Sequence, residues 1–380
     1  MDFVMTKEQK MIQKAVRAFA EEQVKPLAYD VDKNEAMFPE TIRELGKLGL
    51  LGVYIPKEYG GSGADMLSYI MCIEELSKVC ASTGALVASH NSLGCAPILE
   101  HGTEEQKKKY LPKMARGEWI GAFGLTEPGA GTDASGQQTT AVLEGDHYVL
   151  NGAKTFITNG GIADVFIVFA MTDVKKGVKG ISAFIVEKSF PGFSIGKHEE
   201  KMGIRGSSTT ELIFEDCIVP KENLLLKEGA GFKIAMKTLD GCRIGVAAQA
   251  LGIGEGALEE SIKYSKERVQ FKKRLSQFQN TQFKIADLHT QLKAAQYLTY
   301  SAAIKKQRGE AFSVDAAMAK LYAARTASDV TREAVQMFGG YGYTREYPVE
   351  RMMRDAKITE IYDGTNEVQR MVIAANLGVN

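Results

Sequence analysis

The chain has 380 residues, more than one hydrophobic core usually serves, so two or three domains are expected. Its 47 basic and 47 acidic residues cancel, which argues against a protein that coats nucleic acid by neutralising phosphates but leaves room for a local basic patch on a phosphorylated ligand. The 5 cysteines (Cys72, Cys80, Cys95, Cys217, Cys242) form no C-x-x-C pair, so they give neither a metal site nor a disulfide framework and suit a reducing compartment.

The first segment, MDFVMTKEQK, lacks the basic-then-apolar run of a signal peptide. No stretch approaches the roughly 18 apolar residues of a membrane span. The expectation is a cytoplasmic protein that binds neither nucleic acid nor membrane. Thr6 with Gln9 resembles a capping box, and Met11, Ile12, Ala15, Val16 and Phe19 follow at helical spacing. Further helices are expected from about Pro39 to Leu50, Leu67 to Val79 and Lys107 to Ala115. Near Trp119 the character changes. Glycines and short β-branched runs take over from Ala122 to Leu225, with strands expected at Val165–Ala170, Ile181–Val186 and Leu212–Phe214. Asn151-Gly152, after Tyr148 and Leu150, carries a strong hairpin signal. Helical periodicity returns after Gly231, in long segments around 232–264, 277–307 and 313–338 with wide apolar faces. Helices, then sheet, then helices argue for segregated α+β domains. We expect an all-α domain over 1–120, a middle antiparallel β domain over 121–227, and a bundle-like all-α domain over 228–380.

Three stretches could carry chemistry. Gly124-Leu-Thr-Glu-Pro-Gly-Ala-Gly-Thr-Asp-Ala-Ser-Gly136 combines glycines that expose backbone N–H groups with hydroxyls at Thr126 and Thr132, a set suited to anions or ring edges. The phosphate-loop pattern G-x-x-x-x-G-K-[ST] does not occur in it, which counts against an ATPase. Gln336-Met-Phe-Gly-Gly-Tyr-Gly-Tyr343 is either a close backbone approach to a ligand or a plain helix end. In Ile361-Tyr-Asp-Gly-Thr-Asn-Glu367, Asp363 has the setting of a general base, while the local sequence alone favours Asp363 or Thr365 as the cap of a helix starting near Asn366. His90, His101, His147, His198 and His289 show no metal-ligand spacing, and no G-x-S-x-G elbow is present.

Together these stretches resemble the acyl-CoA dehydrogenase family, in particular its short-chain, butyryl-CoA type. Gly124–Gly136 and Gln336–Asp355 fit two family signatures. Phe156-Ile-Thr-Asn-Gly-Gly161, Lys201-Met-Gly-Ile-Arg205 and Leu239-Asp-Gly-Cys-Arg-Ile-Gly245 match further blocks in the same order. The likeness runs from Thr6 to the C-terminus. It implies FAD, an acyl-CoA substrate, electron-transfer flavoprotein as acceptor, and a homotetramer in which neighbouring subunits share cofactor contacts. By position, Phe123, Leu125, Thr126, Thr132, Phe156 and Thr158 would surround the flavin, with Phe156 in place of a tryptophan found in some members. Arg268, Gln270, Phe271 and Gln279 would meet a neighbouring subunit's FAD, completed by Gln336, Gly339, Gly340, Thr365 and Glu367. Lys272 stands where many members carry glycine. Thr132, Asp240, Arg243, Tyr362 and Gly364 would contact the substrate. Asp363 would take the α-proton, with its backbone N–H and a ribityl hydroxyl as donors to the thioester carbonyl.

One departure stands out: the family's usual Tyr-Glu-Gly-Thr is Tyr362-Asp363-Gly364-Thr365 here. One methylene less withdraws the carboxylate by about 1.5 Å, and a misplacement of about 1 Å can cost on the order of a hundredfold in rate. In some relatives the base precedes the arginine equivalent to Arg243, a position held here by Cys242, so Asp363 is the base the resemblance implies. A shorter carboxylate suggests cyclic acyl groups such as cyclohexanecarboxyl-CoA, or α-branched ones, beside straight short chains. The other readings are an enoyl-CoA reductase working in reverse, a nitroalkane oxidase of the same fold, and a binding protein without turnover.

Overall fold

In the computed structural model, residues 5–379 are described. The reading of the first ten residues as leaderless falls partly on residues 1–4, which lie outside them.

Seven helices build the first third: α1 (Lys7–Phe19), α2 (Ala28–Asn34), α3 (Pro39–Lys47), α4 (Met66–Ser77), α5 (Ala81–Ser89), α6 (Ala96–His101) and α7 (Glu104–Ala115). Thr6 and Gln9 form the expected capping box on α1, and Thr103 with Gln106 repeats it on α7. The segment 81–101 was not foreseen as helical. Residues 81–98 are buried on all sides, so α5 and the one-turn π-helix His90–Cys95 carry no polar stripe to reveal their period.

A seven-stranded sheet follows: β1 (Gly121–Gly124), β2 (Thr140–Glu144), β3 (His147–Thr158), β4 (Val165–Met171), β5 (Ile181–Glu187), β6 (Phe193–His198) and β7 (Thr209–Pro220). It departs from a strictly antiparallel arrangement, because β1 and β2 both run parallel to β4. The long loop after β1 and the β2–β3 hairpin together return the chain to the end where β1 began, so β4 enters in the same direction. Asn151-Gly152 is not the hairpin turn. That turn is Gly145-Asp146, with Gly145 at φ +65, while Asn151 and Gly152 sit inside β3 at a break in register with β7. There Asn151 exchanges hydrogen bonds with Asp216, Nδ2 donating to its Oδ1 (3.0 Å) and Oδ1 accepting its N–H (2.8 Å). A two-residue signal is overridden when its side chain finds a partner across the sheet.

The last third contains α8 (Gly231–Glu267), the ribbon β8 (Val269–Gln270) and β9 (Lys273–Arg274), then α9 (Gln279–Gln307), α10 (Ser313–Phe338), α11 (Val349–Ile358) and α12 (Asn366–Asn376). The three long helices fall within a few residues of their expected spans. Small residues on α10 (Ala316, Ala319, Ala323, Ala327) are fully or almost fully buried, allowing close packing.

The wall between the first helical region and the sheet is tight. A Cβ on Gly94 would lie 2.8 Å from Gly121 Cα, so the π-helix and β1 meet backbone to backbone. His90 bolts the same joint: Nδ1 accepts the Gly121 N–H (3.0 Å) and Nε2 donates to the Met114 carbonyl (3.1 Å).

Candidate active site

Asp363 lies in the turn between α11 and α12, on left-handed backbone at φ +55 and followed by Gly364 at φ +96. Of the two capping candidates, Thr365 does the work: its Oγ1 accepts the Val368 N–H (3.3 Å) as N-cap of α12. Asp363 is therefore free for another role. Its carboxylate points back to α8, where the Cys242 thiol donates to Oδ2 at 3.0 Å. Burial pushes the Asp363 carboxyl above its ordinary range, opposed by the Cys242 hydrogen bond and by the charges of Lys320 and Arg243. Among the described residues, the backbone N–H of Asp363 donates to no protein acceptor.

The surrounding groups are held from four sides. Arg243 donates from Nη1 to Asp240 Oδ1 (2.6 Å) and from Nε to the Asp363 carbonyl (3.4 Å), while Ser313 Oγ fixes the other Asp240 oxygen at 2.5 Å. Lys320, fully buried on α10, donates to the Gly364 carbonyl at 2.8 Å; burial lowers its ammonium to about 8. Gln369 Nε2 donates to the same carbonyl at 2.7 Å. Tyr362 donates its hydroxyl to Gln249, which in turn donates to the Ala81 carbonyl (3.1 Å). Thus Asp240, Arg243, Tyr362, Asp363 and Gly364 lie together, while Thr132 does not join them. Sequence reasoning missed the thiol contact, Lys320, Gln249 and Gln369. A lysine on the alanine face of 316–327 was the one visible signal, since a charge there must find a buried acceptor.

Phe123 and Leu125 extend this centre into the sheet: they share one apolar cluster with Cys242 and Val246, and Tyr362 packs against it. The loop after β1 is anchored from below by fully buried Lys154, whose Nζ donates to the Leu125 carbonyl (3.2 Å), Glu127 Oε1 (2.7 Å) and Gln137 Oε1 (3.0 Å). Glu127 also accepts the N–H groups of Gln138 (2.6 Å) and Thr139 (3.0 Å). Thr126 joins β3 by accepting the Thr155 N–H at 2.9 Å. Thr132 is exposed beside Gly131, where an added Cβ would meet open space. On β3, Phe156 is 64% exposed on left-handed backbone (φ 58), with Thr158 partly exposed two residues on. Left-handed backbone under a bulky residue is a strained arrangement of the kind that collects at binding sites.

A third set lies on another surface. Phe271 and Lys272, at φ 51 and 61, form the two-residue turn between β8 and β9, a left-handed pair that explains why glycine suits the second position. Phe271 is 89% exposed. Arg268 stacks over Tyr341 at 5.5 Å, and Tyr264 stacks on Phe338 at 4.1 Å, joining this ribbon to the Gly339-Gly340 corner where α10 stops. Gln270, Gln279, Gln336, Gly339 and Gly340 are all exposed, and Cβ atoms at both glycines would meet open space. Thr365 caps α12, and Glu367 in its first turn pairs with Arg370 at 2.9 Å. Among the described residues no group of three or more His, Cys, Asp or Glu could hold a metal ion, and no helix is long and apolar enough to cross a membrane.

Comparison with known proteins gives a consistent result. Family models for the N-terminal, middle and C-terminal domains of acyl-CoA dehydrogenase match residues 6–118, 122–217 and 229–378. The chain is 61% identical over 377 residues to a short-chain specific acyl-CoA dehydrogenase of Clostridium acetobutylicum, covering 99% of this chain and 100% of that one. It superposes with a TM-score of 0.98 on the butyryl-CoA dehydrogenase of Megasphaera elsdenii, at 55% identity over 99% of this chain and 100% of that one. A TM-score of 0.98 at 58% identity, over 99% of each chain, relates it to a chain in a structure described as an electron transferring flavoprotein of Acidaminococcus fermentans.

Proposed function

This chain belongs to the acyl-CoA dehydrogenase family, and on that premise we propose that it converts a short-chain acyl-CoA of the butyryl type to the 2-enoyl-CoA, with Asp363 as base and electrons leaving to electron-transfer flavoprotein. The cofactor is FAD. The residues present suit it: an exposed aromatic at Phe156, hydroxyls at Thr126, Thr132 and Thr158, and the open approaches at Gly131, Gly339 and Gly340. When bound, FAD supplies the acceptor for the hydride that leaves the substrate's Cβ.

The observation that carries the assignment is the Asp363 carboxyl, raised by burial and aimed at α8 beside the Asp240–Arg243 pair. A base works best when its pKa approaches the operating pH, and burial moves this one that way. The unpaired Asp363 N–H supports its role as a donor to the thioester carbonyl, whose oxygen gains charge as the α-proton leaves. Arg243, fixed by Asp240, would orient the CoA-bearing chain, and Tyr362, fixed by Gln249, would line the acyl space. Gly364 keeps the backbone beside the base free of a side chain.

Straight short chains are favoured over cyclic or branched ones, because the ring alternative rests on Asp363 alone while two relatives, at 61% and 55% identity, carry short-chain and butyryl-CoA names. A homotetramer is supported by the exposed Phe271 ribbon and by a groove of about 460 Å³ between α9, α10 and α12 lined by Leu298, Met318, Leu321, Tyr322 and Ile373. In that assembly Arg268, Gln270, Phe271 and Gln279 would meet a neighbour's FAD, completed by Gln336, Gly339, Gly340, Thr365 and Glu367. Anaerobic bleaching of the bound flavin by butyryl-, hexanoyl-, isobutyryl- and cyclohexanecarboxyl-CoA tests the proposal. Fast bleaching by butyryl-CoA is expected; bleaching by the ring thioester alone would replace the substrate assignment, and none by any would remove the catalytic one.

A further inference from the structure

An aspartate that serves as a base has two equivalent oxygens and two free torsions, so something must choose which oxygen faces the substrate. Among the described residues, one donor reaches the Asp363 carboxylate: the Cys242 thiol, 3.0 Å from Oδ2. The nearby cations do not compete for it. Arg243 spends its guanidinium on Asp240 and on the Asp363 carbonyl, and Lys320 donates to the Gly364 carbonyl and Asn366 Oδ1.

We propose that Cys242 is a positioning residue, whose S–H holds Oδ2 of Asp363 and leaves Oδ1 to receive the substrate's α-proton. This inference rests on the reading of Asp363 as the base, and extends it to the group that aims the base. Cys242 is buried on α8, and burial together with the Asp363 charge pushes its thiol well above the ordinary range, so it stays protonated and donates. The remaining titratable groups facing Asp363 are Arg243 on α8, Lys320 on α10, Tyr69 on α4 and the adjacent Tyr362, and none of them touches the carboxylate oxygens.

The choice of a thiol has a physical rationale. A strong donor to the ionised form would hold the carboxylate firmly but depress its basicity, whereas S–H is a weak donor. It breaks the equivalence of the two oxygens while giving back little of the basicity that burial provides. It also occupies the space that a longer side chain at 363 would need, which ties the identity of residue 242 to that of residue 363.

The test is the pH dependence of kcat/KM and of anaerobic flavin reduction by butyryl-CoA, on the flavin-loaded protein and two variants. Cys242→Ala removes the donor; Cys242→Ser replaces it with a hydroxyl. For Cys242→Ala we expect flavin reduction to slow about tenfold, the cost of a base displaced by a fraction of an ångström. Losing this weak hydrogen bond to the ionised form should also move the acid limb of kcat/KM upward, by less than about one pH unit. Cys242→Ser should restore the rate to near that of the parent and place the limb at or below the parent's. Unchanged flavin absorbance in both variants serves as the folding control. An alanine variant with the parent's rate and an unmoved limb would overturn the inference, and so would equal losses in both variants, which would mark Cys242 as mere filling. If the parent protein itself is not bleached, the assignment of Asp363 fails first and the inference falls with it.

Discussion

Around Asp363 the charged and hydroxyl side chains find partners within the chain, while the Asp363 N–H stays open: Arg243 has Asp240, Asp240 has Ser313, Lys320 has the Gly364 carbonyl, and Tyr362 has Gln249. On the ribbon at 269–274 the situation is reversed. Phe271 projects into solvent at 89% exposure on left-handed backbone, the Gln270 side chain turns back to donate to the Val269 carbonyl, and the Gly339-Gly340 corner presents bare backbone. The contrast separates two ways of making a site. One is aimed by internal hydrogen bonds before any ligand arrives, which is the arrangement that lowers a barrier. The other would gain its order from a covering subunit in the proposed assembly, so its strength should depend on assembly.

The comparison can be broken at its preorganised end first. Asp363→Asn should slow flavin reduction by butyryl-CoA on the order of a thousandfold, the usual contribution of a general base, with the FAD content unchanged. Residual turnover within tenfold of the parent would place the base elsewhere.

The scaffold beneath that end gives the next largest effect. Burial holds the fully buried His90 down at about 4, against 6.5 for the free side chain. A depressed folded-state value means the contribution is complete above pH 6.5 and lost as pH falls through 4. That loss amounts to about 3 kcal/mol at full protonation. Thermal unfolding followed between pH 7 and 4 should therefore show a drop that is smaller in His90→Gln, which has no proton to gain. Equal drops in both proteins would deny His90 this role.

At the assembly-dependent end, Arg268→Ala should weaken FAD retention about tenfold through loss of one charge-assisted contact, and the loss should steepen on dilution. Dilution-independent FAD binding in both proteins would erase the distinction between the two regions. The smallest effect is a coupling. Asp363→Glu and Cys242→Ala should be less harmful together than the sum of the two alone, by about 1 kcal/mol in a double-mutant cycle of kcat/KM.

The segments carrying strong period were readable from the sequence: the three long helices, the buried strands at β4 and β5, and the capping box at Thr6. Residues whose neighbours are close in the chain were also legible, as with the Asp240–Arg243 pair. What stayed hidden depended on distance along the chain. Cys242 and Asp363 are 121 residues apart, Lys320 and Gly364 44, and no local pattern announces either contact. Helix α5 stays hidden because burial on every side removes the amphipathic signature, and α6, at 6 residues, is too short to show one. Asn151-Gly152 misled because turn chemistry says what a dipeptide can do, while a cross-strand partner decides what it does.

The backbone contact between Gly94 and Gly121 has a consequence for anyone reshaping the acyl space by directed evolution. A side chain at either glycine must push the π-helix off β1 or displace Met114 Cε, and the shift would carry the His90 joint with it. Libraries that randomise these two positions should return mostly insoluble clones. Changes in substrate size are better sought at apolar side chains of the cluster that holds Cys242, such as Leu93 and Val246, whose volume can vary while the frame stays put.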